Sequence, residues 1–484
     1  MTSQAFEAHP FLDPEISVNR PDILRYLYNQ YLDVIRSRDK YNGFLNTLLH
    51  PAGEERLLEA NLATSAYYMN EAMHYIQSLL DMVPVGPRET VEPMSQVLDC
   101  SDFQELLTLI FNATDPRLAY EARRKLYLTK LFFDVDHSWE VQRGAEHKDH
   151  VEAVLEQDLF AHVSERRTVE MCYALGNDGE TIVLGADQIQ PGQECWAFDL
   201  QQVEMLRDGR PVRLNVYYYS CRFKREVVPY QYRKGRELYH FAESELFPAM
   251  ERRRSASIVS KMLRKGESDP RWIRDLIGVM FIVENLSELE DLKELLFDRF
   301  GGHFRVKNVV DTQLNPEDRL RLNPQSGIGY KVYKAEMDIL YNSRRHPQPQ
   351  PYLFTAEIQL YTLENYLRTL HSAHYANHQA LKRRQFLEGL VPVLFPAQIY
   401  GDEAVRRLVE AAAPVPTVGR NGNGSGNGNG GVGGNGSNAR GGSAGVGNGR
   451  GAGGSGHGAS DNGHSESESG THSSPEPTDA KGSH

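Results

Sequence analysis

The chain reads as an α+β protein: a helical N-terminal region, a small β-rich segment, a mixed α/β domain and a disordered C-terminal tail. Three observations predict this order. Apolar residues recur at helical spacing through the first third, as Ile23, Leu24, Leu27, Tyr31 and Leu32 do in the first run. Between about 167 and 225 the pattern changes to short runs separated by turn residues. From Val418 to His484 almost nothing apolar remains, and 23 of the 41 glycines lie there. Such a stretch cannot bury enough surface to offset its ordering entropy.

Residues 1–160 carry the helices. The first run stops near Pro51 and a second, "EERLLEANLATSAYYMNEAMHYIQSLLDMV", stops near Pro84. "SDFQELLTLIF" and "AYEARRKLYLTKLFF" continue the pattern. No chemistry is visible here, so packing or binding to an unidentified protein partner is the default role. Residues 161–235 form the β-rich segment. It holds one hairpin turning at Asn177, Asp178 and Gly179, and another turning at Asp208–Gly209. Whether it stands alone or joins the next domain stays open. Residues 239–400 form the α/β domain, ordered as helix 245–266, strand 275–283, helix 287–299, strand 303–310, loop 311–329, strands 330–340 and 351–361, and helix 362–385. Residues 418–484 are the tail, which lacks a Gly-X-Y period and is not collagen-like.

Composition excludes several classes. The run "GVMFIV" is far too short for a bilayer span, which takes about 20 apolar residues, so no membrane role is expected. "MTSQAFEAHPFLDPEISVNRP" has neither the basic nor the apolar part of a signal peptide. Cys100, Cys172, Cys195 and Cys221 are widely spaced without a CxxC pair, which supports neither a zinc ribbon nor a disulfide framework. A reducing cytoplasm is the simplest location. The net charge of −12 argues against a general nucleic-acid coat protein. Yet Arg252 to Arg274 holds eight basic residues and two acidic ones, Glu267 and Asp269. This island is either a solvated helix face or a focused anion site.

Chemistry-bearing residues concentrate in the α/β domain. Asp275 and Glu357 each stand in or beside an otherwise apolar run, "RDLIGVMFIV" and "YLFTAEIQLYT". On neighbouring strands they could converge on one Mg²⁺, which prefers carboxylate and phosphate oxygens. The bland alternative is a strand-end cap and a solvent-facing acid. On the basic helix Arg253, Ser257, Lys261 and Arg264 share a face, and arginine fits phosphate with two donors. In "NPQSGIGYK", Gly327 and Gly329 allow close backbone approach, and Tyr330 could stack on a nucleobase. His371, His374 and His378 share a helix face but lack the glutamate of a zinc HExxH site. "EHKDH" (Glu146–His150) contains no adjacent His-Asp pair, so a phosphohydrolase of that type is not supported.

Four of these pieces occur in an order that resembles the synthetase domain of the RelA/SpoT family, the makers of ppGpp and pppGpp. "SASIVSKMLRK" resembles its ATP-contacting helix, "DLIGVMFIV" its magnesium-aspartate strand, "NPQSGIGYK" its loop ending in a guanine-stacking tyrosine, and "AEIQLYT" its strand with the catalytic glutamate. The resemblance covers about 130 residues and leaves out the first 235 and the tail.

It implies a nucleotide-binding enzyme of guanosine tetraphosphate metabolism and the stringent response. ATP and GTP or GDP would be substrates and Mg²⁺ the metal. Arg253, Ser257 and Lys261 would hold ATP, and Tyr330 after Gly329 would stack on the acceptor base. Asp275 and Glu357 would bind Mg²⁺, with Glu357 helping to deprotonate the ribose 3′-hydroxyl. The chain departs from the family pattern at Met280 and Tyr361, where the family carries arginines, at Glu251, where an arginine is common, and in "GYKVYK" for "GYQSLH". These departures leave two alternatives: a catalytically impaired nucleotide-binding module, or a toxin-like pyrophosphokinase acting on adenine nucleotides or tRNA.

Overall fold

Helix-capping chemistry shapes the N-terminal part of the chain. The computed structural model describes residues 12–13, 22–50, 53, 55–175, 181–185, 194–207, 209–225, 229–234, 237–242, 255–315, 317–318, 330–342, 350–370 and 378–412. The tail from 418 lies outside them. Helices α1 (Asp22–Val34), α2 (Arg38–Leu49), α3 (Leu58–Leu80), α4 (Phe103–Asn112), α5 (Pro116–His137) and α6 (Gly144–Asp158) follow in order. Ser37 caps α2 by accepting from the Lys40 N–H, and Asp102 caps α4 by accepting from Gln104 and Glu105. Proline at the first position of α5, after the Asp115 cap, needs no N–H there.

Helix α5 is buried nearly all round, including Glu121, Arg124 and Lys125. Each buried charge has partners, as it must. The Lys125 ammonium donates to the carbonyls of Val97 (2.6 Å), Leu98 (3.2 Å) and Cys100. Arg124 donates to the Leu394 carbonyl (2.6 Å) and the Tyr400 hydroxyl (2.7 Å), and Tyr400 donates to Glu121 (3.0 Å). These bonds draw residues 394–400 back onto the N-terminal helices.

The sheet begins with β1 (Val163–Leu175), β2 (Thr181–Gly185), β3 (Glu194–Arg207), β4 (Arg210–Phe223), β5 (Pro229–Lys234) and β6 (Glu237–Ala242). Helix α7 (Ala256–Lys265), β7 (Ile277–Val283), α8 (Leu286–Phe300), β8 (Val306–Asp311), β9 (Tyr333–Tyr341) and β10 (Tyr352–Thr362) come next. Helices α9 (Leu363–Leu370), α10 (His378–Arg384) and α11 (Asp402–Ala412) end the described chain. Strand order is β2-β1-β3-β4-β7-β10-β9-β8, with β5 on β3 and β6 on β5. Strands β7 and β10 pair in parallel, while β4 pairs β7 antiparallel and β9 pairs β10 antiparallel. The hairpins and the later α/β elements therefore share one continuous sheet.

Alternation along β7 explains the layering. Ile277, Val279, Phe281 and Val283 enter the main core, while Met280 and Ile282 join a second cluster on the opposite face. That second cluster includes Trp196, Phe198, Tyr217, Tyr361, Leu363 and Leu367. No described helix is long and apolar enough to cross a membrane.

Some elements differ from the sequence expectation. Cys172 and Cys195 form a disulfide, with Cα atoms 4.3 Å apart. They are 23 residues apart in the chain but directly opposed in the β1/β3 register, so strand pairing supplies the proximity that spacing does not show. Strands β5 and β6 form a hairpin that the pattern did not announce. The strand expected at 303–310 opens as a 3₁₀ turn, His303–Arg305, before β8. Asp275 sits in a turn two residues before β7 and does not begin the strand.

Two outcomes test this packing. A Cβ on Gly144 would fall inside the Phe223 ring at the end of β4. Gly144→Ala should therefore lose about 1–3 kcal/mol through overpacking, read as a lower midpoint in urea unfolding. The second concerns His147, whose Nε2 lies 2.9 Å from the Tyr352 hydroxyl and whose ring stacks on Phe354 at 4.2 Å. Burial, with Arg143 and His150 adding to it, pushes its pKa down to about 4. The unfolded chain binds that proton near 6.5. Stability should thus fall as pH drops from about 6.5 to about 4, because the unfolded state takes up more protons in that window. His147→Gln should flatten this part of the melting-temperature profile.

Candidate active site

The parallel pairing of β7 and β10 sets the site's frame. Glu357 stands opposite Gly278, Gln359 opposite Met280 and Tyr361 opposite Ile282. On the other flank, β4 sets Arg222 opposite Gly278 and Ser220 opposite Met280. Gly278 thus lies between Arg222 and Glu357. Among the described residues, a Cβ there would meet no heavy atom within 4 Å. The sheet has an open slot at this point, with a cation on one side and a carboxylate on the other.

Asp275 guards the entrance to β7. It is 6% exposed, and its Oδ2 accepts from the ammoniums of both Lys224 and Lys261. Lys224 follows β4 directly, and Lys261 lies on α7. Burial works to raise the Asp275 pKa, but these two ammoniums hold it well below the usual carboxylate range. Burial and the nearby Lys224 charge push Lys261 down to about 8, against the pull of Asp275 and Glu357.

Glu357 is 7% exposed and accepts from Lys334 on β9 and from the Gln359 amide. Burial opposes the charge on Lys334, yet Glu357, with Asp275 adding to it, raises its pKa. Both carboxylates therefore act on both Lys261 and Lys334, which makes them members of one electrostatic cluster.

The donor set suits a hard divalent cation. Asp275 Oδ1 is buried without a hydrogen-bond partner among the described residues, a costly state for a carboxylate oxygen. No group of three or more His, Cys, Asp or Glu that could hold a metal occurs among them. Mg²⁺ does not require one, since it commonly takes one or two carboxylates and completes its shell with water and phosphate.

The other expected residues fall as follows. Ser257 is on α7, on the wall of a cavity of about 30 Å³ shared with Ser260, Arg264, Lys382 and Gln385. Tyr330 is part-buried, and its hydroxyl is hydrogen-bonded to that of Tyr361. Arg253, Gly327, Gly329, Glu251 and the histidines His371 and His374 lie outside the described residues, as does the side chain of His378. Met280 lies on the Glu357 face, packed against the cluster containing Tyr361.

Sequence reasoning passed over Arg222 and Lys224. Their signal was the alternation in "SCRFKRE", which sends both to one face of a strand ending. Lys331 is exposed, whereas Lys334 is the one bound to Glu357.

The N-terminal helices hold α7 in place. Tyr75 on α3 bonds to Ser260 at 2.7 Å, and Asp136 on α5 accepts from Ser255 at the start of α7. Arg225, one residue past Lys224, reaches the same Asp136 at 3.3 Å. The site's cations are thus fixed from a part of the chain in which the sequence showed no chemistry.

No protein-family model matches the chain, and no curated protein matches it. Solved structures similar to it include two that match over 32% of its length. One is the small alarmone synthetase 2 from Bacillus subtilis, at 22% identity and a TM-score of 0.19, with 66% of that chain covered. The other is the small alarmone synthetase 1 from Bacillus subtilis bound to its product pppGpp, at 21% identity and 0.19, with 69% covered. At those TM-scores the likeness carries nothing into the chemistry of the site.

Met280 offers a test of which way the sheet face opens. Its cross-strand neighbours are Ser220 and Gln359, both polar. Met280→Arg should therefore fold cooperatively with a loss of no more than about 2 kcal/mol, the guanidinium extending toward the slot. Circular dichroism and thermal melting would check this, and an unfolded variant would put Met280 in a closed interior.

Proposed function

We propose that the chain is a RelA/SpoT-like pyrophosphokinase that transfers pyrophosphate from ATP to the 3′-hydroxyl of a guanosine nucleotide. The observation that supports it most is the meeting of two buried carboxylates, Asp275 and Glu357, with Lys224, Lys261, Lys334 and Arg222 around the slot at Gly278. A polyphosphate brings several negative charges, which such a cluster can neutralise. Transfer of a phosphoryl-type group needs positioning and charge stabilisation more than a covalent protein intermediate.

In this reading Arg222, Lys224 and Lys261 take ATP phosphate oxygens, and Lys261 and Lys224 exchange part of their bond to Asp275 for them. Asp275 and Glu357 would hold Mg²⁺, which supplies charge neutralisation between the phosphates when bound. Tyr330 stacks on the acceptor base. The acceptor's 3′-oxygen attacks the β-phosphorus and the bond from that phosphorus to the α-phosphate oxygen breaks, so AMP leaves. The 3′-hydroxyl proton passes to Glu357. The cellular role would be guanosine tetraphosphate synthesis, as in the stringent response.

One observation favours a second reading. Met280 and Tyr361, at the positions where the family pattern has arginines, join the apolar cluster on the site's own face. A non-catalytic nucleotide-binding module, or an enzyme with another acceptor such as an adenine nucleotide or tRNA, would also suit that wall.

The test is incubation with γ-labelled ATP, Mg²⁺ and separate GDP, GTP, ATP and tRNA acceptors. Label should move to the guanosine nucleotides. Asp275→Ala and Glu357→Ala should each abolish the transfer, and the double variant should be no worse, because both act through one ion. Label reaching only tRNA or ATP would replace the acceptor, and a double variant with the wild-type rate would sink the catalytic reading.

A further inference from the structure

We propose that Tyr361 is a positioning residue that fixes the orientation of Tyr330 for the acceptor base. The proposal rests on the reading above, in which Tyr330 stacks on that base. Tyr361 shares a face of β10 with Glu357 and Gln359. Its ring is 4% exposed, packed in the cluster with Trp196, Phe198, Leu363 and Leu367. Phenylalanine would fill that place without a polar atom to satisfy, since a buried hydroxyl costs free energy unless it is bonded.

The Tyr361 hydroxyl is bonded twice, and the direction of each bond can be derived. The Glu357 carboxylate only accepts, so the Gln359 group facing its Oε1 is the amide NH₂. The Gln359 carbonyl oxygen then faces Tyr361, which donates to it at 3.2 Å. With its one proton committed there, Tyr361 must accept from the Tyr330 hydroxyl. Every donor in the chain Tyr330, Tyr361, Gln359, Glu357 points toward the carboxylate, an arrangement in which successive bonds polarise one another.

The rings fit the same picture. Tyr330 meets Tyr361 edge-on, with centroids 6.2 Å apart at 72°, and Tyr361 meets Tyr366 at 5.5 Å and 67°. An arginine at 361 has no acceptor and could not take the Tyr330 proton. The tyrosine thus does something at this position that an arginine cannot.

The experiment uses the full chain and four proteins: wild type, Tyr361→Phe, Tyr330→Phe and the double variant. Affinities for GDP and for MgATP are measured by calorimetry, with melting temperatures in parallel. Both single variants keep their ring and lose the Tyr330–Tyr361 bond, and each should weaken GDP binding about fivefold, the effect of that bond; Tyr361→Phe also loses its bond to the Gln359 carbonyl. MgATP affinity should stay unchanged, because Gln359 still holds Glu357. The double variant should be no weaker than either single one, since both remove the same bond. Unchanged GDP affinity in Tyr361→Phe, additive losses in the double variant, or equal weakening of MgATP and GDP would each overturn the positioning role. A wild type that binds neither probe would instead fail the nucleotide reading itself, and this proposal with it.

Discussion

Asp275 accepts from Lys224 and Lys261 at once, and the two lysines arrive from different directions, one from the end of β4 and the other from α7. A buried carboxylate alone would be costly, and so would two facing ammoniums. Together they form a knot in which each charge makes the others tolerable. Its geometry fixes where α7 lies relative to the mouth of β7. Lys261, pushed down toward 8 by burial and by Lys224, is an ammonium held with little to spare. An arriving phosphate would meet cations that are already desolvated, where electrostatic interactions are strongest.

The knot holds only because α7 is braced from behind. Tyr75 and Asp136 reach it from α3 and α5, and Arg225 joins Asp136 beside Lys224. Helix α5 is itself tied to its surroundings by buried charges, Lys125 on three carbonyls and Arg124 on the Leu394 carbonyl and the Tyr400 hydroxyl, which in turn donates to Glu121. Arg264 adds a further tie: a Cβ on Gly389 would collide with its side chain, so the glycine lets the arginine cross the helix surface. The N-terminal helices therefore act on the site through rigidity, without contributing a carboxylate or cation to the slot.

The opposite wall of the site is aromatic. Tyr330, Tyr361, Tyr366 and Tyr218 line up with Met280 beside Glu357, and Trp196 and Phe198 back them from β3. Cations from β4, α7 and β9 and these aromatic rings thus adjoin on one face of the sheet, with Arg222 of β4 bonded to the Tyr218 hydroxyl at 3.1 Å. The disulfide between Cys172 and Cys195 lies next to Trp196 in sequence, so the β1/β3 pairing is tied covalently at the edge of that wall.

Much of the architecture was legible in the chain itself. The run Ile277–Val283 declares a strand, and Pro51 and Pro84 mark the ends of helices, because local periodicity and helix breakers depend on near neighbours alone. The isolated acids Asp275 and Glu357 could be picked out for the same reason. What they face could not. Lys224 reaches Asp275 across 51 residues, and Tyr330 reaches Tyr361 across 31. Cys172 meets Cys195 only because β1 and β3 pair in one register out of several. A one-residue slip would turn each of these side chains to the opposite face. The sequence by itself therefore determined most of the helices and strands and the two isolated acids, Asp275 and Glu357. Tertiary structure decided which charges meet, because strand order, register and the bracing of α7 arise from packing between distant segments.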